Sequence, residues 1–360
     1  MKNIKTIGII GGGQLGMFMA IAAYEMGFET IVYDAKEDCC AKNVASKFYL
    51  GSFNDEAKLN EFAKECDIIT FEFENINSTI VKNLSDTYNI PQTNRPLVIS
   101  SSRLNEKKMA NELDIKTTNW HYIESEADLK EHSLKYPYLM KSNSLGYDGK
   151  GQYMINQHSD LDKVDFRDTT YIAEEKIEFD YEISIIAIRS INDEFVTYDP
   201  FYNQHHKGIL NLTHNFPECN ESVTKQAKDA IKKIMFEKDI RGVLCCEFFV
   251  KDNVVYFNEM APRPHNSGHI TMDTHYFSQY DNHLRGILGL PLGTTKIKDN
   301  QGYMVNVLGQ DVEKTYEYLK DNNPLTKYYD YHKSAVENRK VGHLISFNKE
   351  HLEWFKQNWK

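Results

Sequence analysis

Cysteine is sparse in this chain and badly spaced for metal or redox chemistry. The six occur as Cys39-Cys40, Cys66, Cys219 and Cys245-Cys246. None forms a C-x-x-C pair, so neither a zinc knuckle nor a redox motif is indicated, and buried free thiols are expected. Long apolar runs are lacking too. The first, Ile7 to Ile10, soon ends in glycines. That is no signal peptide, and no other stretch approaches a membrane span. The expectation is a cytoplasmic protein with no membrane partner. Basic charge is not in excess: 42 Lys and Arg against 52 Asp and Glu leave a net charge of −10. General nucleic-acid affinity rests on basic surface. No nucleic-acid partner is therefore expected, and any anion site must be local. There is no internal repeat and no low-complexity region.

What is present is a packed globular chain, 41% hydrophobic. Its 360 residues are too many for one ordinary core and imply two or three domains. The N-terminal part alternates strand and helix: strand at Ile4 to Ile10, helix at Gln14 to Met26, strand at Thr30 to Tyr33, helix at Leu59 to Cys66, strand at Asp67 to Phe73. This β-α-β order predicts a parallel sheet with helices on both faces. Pro91 and Pro96 punctuate a linker. A helix follows at Arg103 to Leu113, then strands at Tyr138 to Lys141, Tyr171 to Ala173 and Ile183 to Ile188. An amphipathic helix runs from Val223 to Lys238. After Pro291 comes a smaller tail, with a strand at Tyr303 to Leu308 and a basic pair, Arg339-Lys340.

The most informative segment is Asn258-Glu259-Met260-Ala261-Pro262-Arg263-Pro264-His265-Asn266-Ser267-Gly268-His269. Two β-rich runs, Cys246 to Val250 and Val254 to Phe257, flank a polar break at Asp252-Asn253 and read as a hairpin. Each strand carries an acid, Glu247 and Glu259. Mg²⁺ is usually held by one or two carboxylates plus substrate phosphates, and such a hairpin can supply the pair. Side chains alternate faces along a strand, so register decides. A plain two-residue loop sets Glu247 opposite Asn258 and turns Glu259 away. A three-residue loop or a bulge sets the two acids face to face, and that is the expectation.

Other motifs are less specific. Gly11-Gly12-Gly13-Gln14-Leu15-Gly16, with Asp34 ending the next strand, matches the dinucleotide fingerprint. It also suits any phosphorylated small molecule, or a turn that merely packs helix on strand. The loop Gly146-Tyr147-Asp148-Gly149-Lys150-Gly151-Gln152 can form an anion-binding nest or be a surface turn. It is no P-loop, because no Ser or Thr follows the lysine. Glu174, Glu175 and Glu182 flank a strand edge, where a carboxylate can accept from a ribose hydroxyl or simply be solvated. His265 and His269 have i, i+4 spacing, but Gly268 and the prolines disfavour the helix that a zinc pair needs. Arg263 and His265 better suit an anion, or a structural clamp.

Together these residues resemble the ATP-grasp superfamily, and within it the bicarbonate-using carboxylating ligases of purine biosynthesis. The resemblance covers nearly the whole chain. It rests on Gly11 to Gly16, Thr70-Phe71-Glu72-Phe73-Glu74-Asn75, Arg103-Leu104, Gly146 to Gln152, Asn258 to His269 and Arg339-Lys340-Val341-Gly342-His343. It implies an α/β (mixed α+β) fold: a Rossmann-like parallel domain over residues 1–98, an ATP-grasp domain with a central antiparallel sheet over 99–297, its lid at about 115–175, and a small C-terminal module over 298–360.

The resemblance also implies a reaction. ATP phosphorylates bicarbonate, and aminoimidazole ribonucleotide attacks the carboxyphosphate to give its carbamate, ADP and phosphate. ATP and Mg²⁺ would be the cofactors, and a homodimer the assembly. By position, Arg103, Lys141, the loop Gly146 to Gln152, Glu174, Glu175, Lys176, Ile177, Glu182, His206, Asn258 and Glu259 would contact ATP. Glu247, Glu259 and Asn258 would bind the metal. Arg263, His265 and Asn266 would surround the carboxyphosphate, and a bound anion would favour protonated His265. Gln14, Leu15, Glu72, Tyr147, Asp148, Ser267, Lys333, Arg339 and Lys340 would hold the ribonucleotide. The loop at Gly146 is the lid candidate. The chain departs from the family pattern at Leu145, Asn143, Asn203 and a shortened tail between Lys333 and Arg339. Three other readings stay open: an ATP-grasp ligase with another acid or amine, an NAD-dependent dehydrogenase, and a non-catalytic nucleotide sensor.

Overall fold

The computed structural model describes residues 4–132, 134–144, 151–167, 169–215, 219–298, 301–321, 324–348 and 350–359. Among the described residues, three sheets carry the chain. The first is parallel, with strands in the order Lys47–Leu50, Glu29–Asp34, Thr6–Ile10 and Ile68–Phe71. Both of its faces are apolar, as parallel strands require. Ile7, Ile9 and Val32 pack against helix Gln14–Glu25 and, beyond it, helix Gln279–Leu288. Ile31, Tyr33, Ile69 and Phe71 pack against helices Glu56–Ala63 and Ser78–Ser85.

The linker expected around Pro91 and Pro96 is instead packed structure. Pro96 sits in the first turn of helix Arg95–Ser100, where a missing N–H costs nothing. Gln92 is fully buried.

The second sheet has nine strands. Its main path runs Val254–Ala261, Gly242–Lys251, Tyr181–Arg189, Phe201–His206, Ile209–His214, Tyr303–Leu308, Lys340–Ser346 and Thr326–Asp330, and the short strand Phe195–Thr197 also pairs with Tyr181–Arg189. Helix Glu221–Glu237 lays Val223, Ala227, Ile231 and Ile234 on Ile183, Ile185, Leu244 and Phe248. Its first turn is closed by the Asn220 side chain, which accepts from the Val223 N–H. The tail strands join the same sheet, because Leu212 pairs with Val305. A third, antiparallel sheet is ordered Trp120–Ile123, Tyr171–Glu175, Tyr138–Ser142 and Gln152–Ile155. Among the described residues, no helix is long and apolar enough to cross a membrane.

Candidate active site

The hairpin closes through Asp252 and Asn253, with φ of 50° and 61°. Two successive left-handed residues make the tight turn that matches strand twist. Lys251 faces Val254 and Phe248 faces Phe257, yet Glu247 faces Glu259. Asn258 is therefore an extra residue on its strand, a bulge. Of the two routes to a shared face, the chain takes the bulge. The freed Asn258 side chain accepts from Lys141 Nζ at 3.1 Å.

The two acids have opposite electrostatics. Burial raises the Glu247 carboxyl, and the Glu259 and Glu182 carboxylates add to the rise against the pull of His205. Burial also pushes Glu259 up, but Arg103, then Lys141, outweigh it and hold that carboxyl well below the usual range. Arg103 Nη1 donates to Glu259 Oε2 at 2.8 Å.

Arg103 opens helix Arg103–Glu112, which Ser102 caps by accepting from the Asn105 N–H. The next turn adds two groups that the sequence reading missed. Buried Glu106 accepts from the Met260 N–H at 2.8 Å, and burial lifts its carboxyl to about 8 despite Arg103. Lys107, also buried, lies 3.4 Å from Glu174 Oε2, while Lys141 lies 3.3 Å from Glu174 Oε1. Glu174 also accepts from the Thr118 hydroxyl at 2.8 Å. Burial alone would raise the Glu174 carboxyl; Lys107 and Lys141 overcome it and bring it down to about 2. This corrects the expectation that the Glu174 side chain contacts ATP. Its side chain is turned inward between two lysines and is not offered to a base.

The loop after the hairpin is as firmly held. Arg263 grips Glu74 through two nitrogens, with Nη2 donating to Oε1 at 2.8 Å. His265 Nδ1 accepts from the Ser267 N–H at 3.3 Å and meets the Ser267 hydroxyl at 2.8 Å. An acceptor at Nδ1 leaves the imidazole proton on Nε2, which faces Glu247 Oε1 at 3.4 Å. Burial, then Arg263 and Lys340, hold His265 well below its ordinary pKa, so the ring is neutral. Ser267 is a second correction. It is fully buried and its hydroxyl spans His265 and Ser184, so it orients the imidazole instead of touching a substrate. Asn266 is buried with neither side-chain polar atom partnered among the described residues.

The glycine loop turns its amides inward. The Gly12 N–H donates to Asp34 at 2.6 Å and the Gly13 N–H to Glu72 at 2.9 Å. A Cβ on Gly16 would lie 2.4 Å from the Gly11 carbonyl oxygen, so that glycine allows close packing of helix on strand. Asp34, the acid of the dinucleotide fingerprint, is thus bonded within the loop itself. Gln14 accepts from Lys333 Nζ at 2.6 Å. Burial raises the Glu72 carboxyl to about 7, against the Gly13 N–H, Arg263 and Lys333.

One cavity of about 1200 Å³ joins these parts. Gln14, Leu15, Glu72, Arg103, Glu247, Glu259, Arg263, His265, Asn266, Lys333, Arg339 and Lys340 line it, together with the unforeseen Lys36, Glu74, Glu106 and Asn143. Lys141 and Asn258 stand behind the acids. Away from this wall, Glu175 is bonded to Asn119, Lys176 pairs with Glu178, and Ile177 follows on the same segment. Glu182, expected at the nucleotide, pairs with His205 Nδ1 at 2.6 Å. Gly151 and Gln152 are described, and Gln152 pairs with Lys141. Gly146, Tyr147, Asp148, Gly149 and Lys150 lie outside the described residues.

The acid pair fits a divalent cation that shares its coordination with phosphates. Among the described residues, no cluster of three or more His, Cys, Asp or Glu could hold a metal ion.

Residues 4–100 match the ribonucleotide synthetase preATP-grasp domain, 108–280 the ATP-grasp domain, and 302–355 the phosphoribosylaminoimidazole carboxylase C-terminal domain. The N5-carboxyaminoimidazole ribonucleotide synthase of Bacillus subtilis is 35% identical over 98% of this chain and 94% of its own. A Staphylococcus aureus N5-carboxyaminoimidazole synthetase complexed with ADP superposes with a TM-score of 0.92 at 33% identity, covering 98% of this chain and 95% of that one. An Aspergillus clavatus synthase solved with ADP and 5-aminoimidazole ribonucleotide gives 0.88 at 25% identity, covering 96% and 94%.

Proposed function

The chain belongs to the N5-carboxyaminoimidazole ribonucleotide synthases, and from that premise we propose a division of labour among its residues. It is an ATP-grasp ligase of purine biosynthesis that carboxylates 5-aminoimidazole ribonucleotide at the expense of ATP. In our reading bicarbonate is the acid. A bicarbonate oxygen takes the γ-phosphoryl group, giving carboxyphosphate and ADP. The amine of the ribonucleotide then attacks the carboxyl carbon, the bond from that carbon to the phosphate oxygen breaks, and the amine gives up a proton.

Phosphoryl transfer is mostly positioning and charge neutralisation. Glu247, Glu259 and the bulged Asn258 would hold Mg²⁺, which neutralises charge on the β- and γ-phosphates when bound. Arg103 and Lys141 approach the same edge, and we assign them to the nucleotide phosphates. Lys107 and Glu174 fix Lys141 in place. The segment Glu175-Lys176-Ile177, Glu182 and His206 we assign to the nucleoside. Arg263, His265 and Asn266 face the transferred group. His265 presents Nε2–H and can donate to an anion, whose arrival raises the imidazole pKa. Lys333, Arg339 and Lys340 supply a cationic wall for the ribonucleotide phosphate, with Gln14, Leu15 and Glu72 near its imidazole. The loop from Gly146 to Gln152, with Tyr147 and Asp148, is our lid over water-sensitive carboxyphosphate.

We further propose the division at residues 98 and 297 as the domain plan, a homodimer as the assembly, and the cytoplasm as the location. All six cysteines are free thiols, in keeping with a reducing compartment. What carries the reading is one cavity in which an acid pair, the Arg263–His265 loop and three tail cations face one another. The test is ADP release from Mg-ATP. It should require both bicarbonate and aminoimidazole ribonucleotide. Release that ignores bicarbonate, or that needs another acid or amine, would overturn it.

A further inference from the structure

Helix Gln279–Leu288 contributes no side chain to the lining of the cavity. Yet its first residue makes close contacts with the loop that does. Gln279 is fully buried. Its Oε1 accepts from the His265 N–H at 2.8 Å, and its Nε2 donates to the His265 carbonyl at 2.7 Å. Both backbone groups of His265 are thus read by one carboxamide, as a paired strand would read them. The Gln279 N–H donates to the Thr271 hydroxyl at 2.9 Å, and that hydroxyl donates to the Gly268 carbonyl at 2.6 Å. Gly268 leaves the needed room, since a Cβ there would lie 2.3 Å from Gln279 Oε1.

One turn further on, His283 buttresses the other end of the loop. Its Nδ1 accepts from the Val243 N–H at 3.1 Å. The proton therefore sits on Nε2, which meets the Thr70 hydroxyl at 2.8 Å. That hydroxyl donates to Gln92 Oε1 at 2.5 Å, and Gln92 Nε2 donates to the Pro262 carbonyl at 3.2 Å. Every donor in this buried relay has one direction.

We infer that Gln279 is a positioning residue for the reaction: its carboxamide sets the backbone of His265, and so the distance and angle of the imidazole at Glu247. It touches no substrate. Misplacing a reacting group by about 1 Å can cost about 100-fold in rate, so the clasp should act on turnover and not on nucleotide affinity.

The experiment compares the full-length protein with Gln279→Met, which keeps the length and loses both bonds, and Gln279→Glu, which keeps the acceptor for the His265 N–H. Thermal unfolding, kcat and KM for ATP are measured for each. The expected result for Gln279→Met is a cooperative transition, kcat for carboxylation lowered by about 100-fold and KM for ATP little changed, with Gln279→Glu between it and wild type. Wild-type kcat in a folded Gln279→Met, a loss carried by KM for ATP, or a variant that cannot fold at all would each overturn the positioning role. The inference rests on the carboxylation reading. Wild type without bicarbonate-dependent ADP release defeats that reading, whereas variants that match an active wild type defeat only this one.

Discussion

Glu247 and Glu259 face each other across the hairpin because Asn258 is surplus to the pairing of its strand. Without that bulge, alternation would turn one carboxylate to the opposite face. The acid pair is thus a consequence of one extra residue, and its value should be measurable directly. Glu259→Gln removes the charge at little change in volume. ADP formation should fall by about 100- to 1,000-fold, with the thermal transition retained. Wild-type turnover by that variant would count decisively against the metal assignment.

Glu174 offers a different kind of test. It is the only carboxylate in contact with both buried Lys107 and buried Lys141 among the described residues. Glu174→Gln strands both ammonium groups. Breaking a buried pair by removing one partner typically costs about 3–5 kcal/mol, so chemical denaturation should show a large loss of stability. A residue that merely bonded adenine would instead raise KM for ATP and leave stability intact.

Arg339 lines the cavity and donates to Ser334 Oγ at 2.7 Å on an exposed part of the tail. Arg339→Ala should raise KM for aminoimidazole ribonucleotide while leaving KM for ATP and the unfolding midpoint near wild type. Steady-state kinetics with each substrate varied in turn decide it. An unchanged ribonucleotide requirement would dismiss the tail from phosphate binding.

Glu72 links stability to pH. Its carboxyl rises from an ordinary 4.5 to about 7 in the fold, chiefly by burial. The folded state then holds a proton that the unfolded chain has lost. Stability therefore falls as pH climbs from about 4.5 through about 7. Glu72→Gln mimics the protonated form. It should be more stable than wild type at pH above about 7 and similar to it near the ordinary value. Melting temperatures across that window provide the check, and parallel curves for the two proteins would refute the shift.

Much of this was written in the order of residues. The N-terminal alternation, the long amphipathic helix and the hairpin all follow from periodicity, and their strands and helices lie where the patterns put them. The Asp252-Asn253 turn and the need for a bulge could be argued from spacing alone. Contacts between distant segments could not. Nothing near Glu174 in sequence reveals that Lys107 will approach it from another element. His205 and not His206 stands beside Glu182 because Asn203 pairs with Glu182 and alternation returns His205 to the same face, a pairing that no local pattern announces. Gln279 looks like any polar residue opening a helix; only the Ser278 and Asp281 capping pair marks its place. The Pro96 reading failed because a proline that ends one element can equally begin another.

The tail strands hydrogen-bond to Ile209–His214 and complete the sheet that begins at the acid-bearing hairpin. Glu247, Glu259 and Lys340 consequently belong to one continuous lattice of backbone bonds. A chain cut near residue 300 would lose more than a phosphate grip. It would bare Ile209–His214 as a raw seam, open to a neighbour's strand, and its fate in solution would be to clump before it could be assayed.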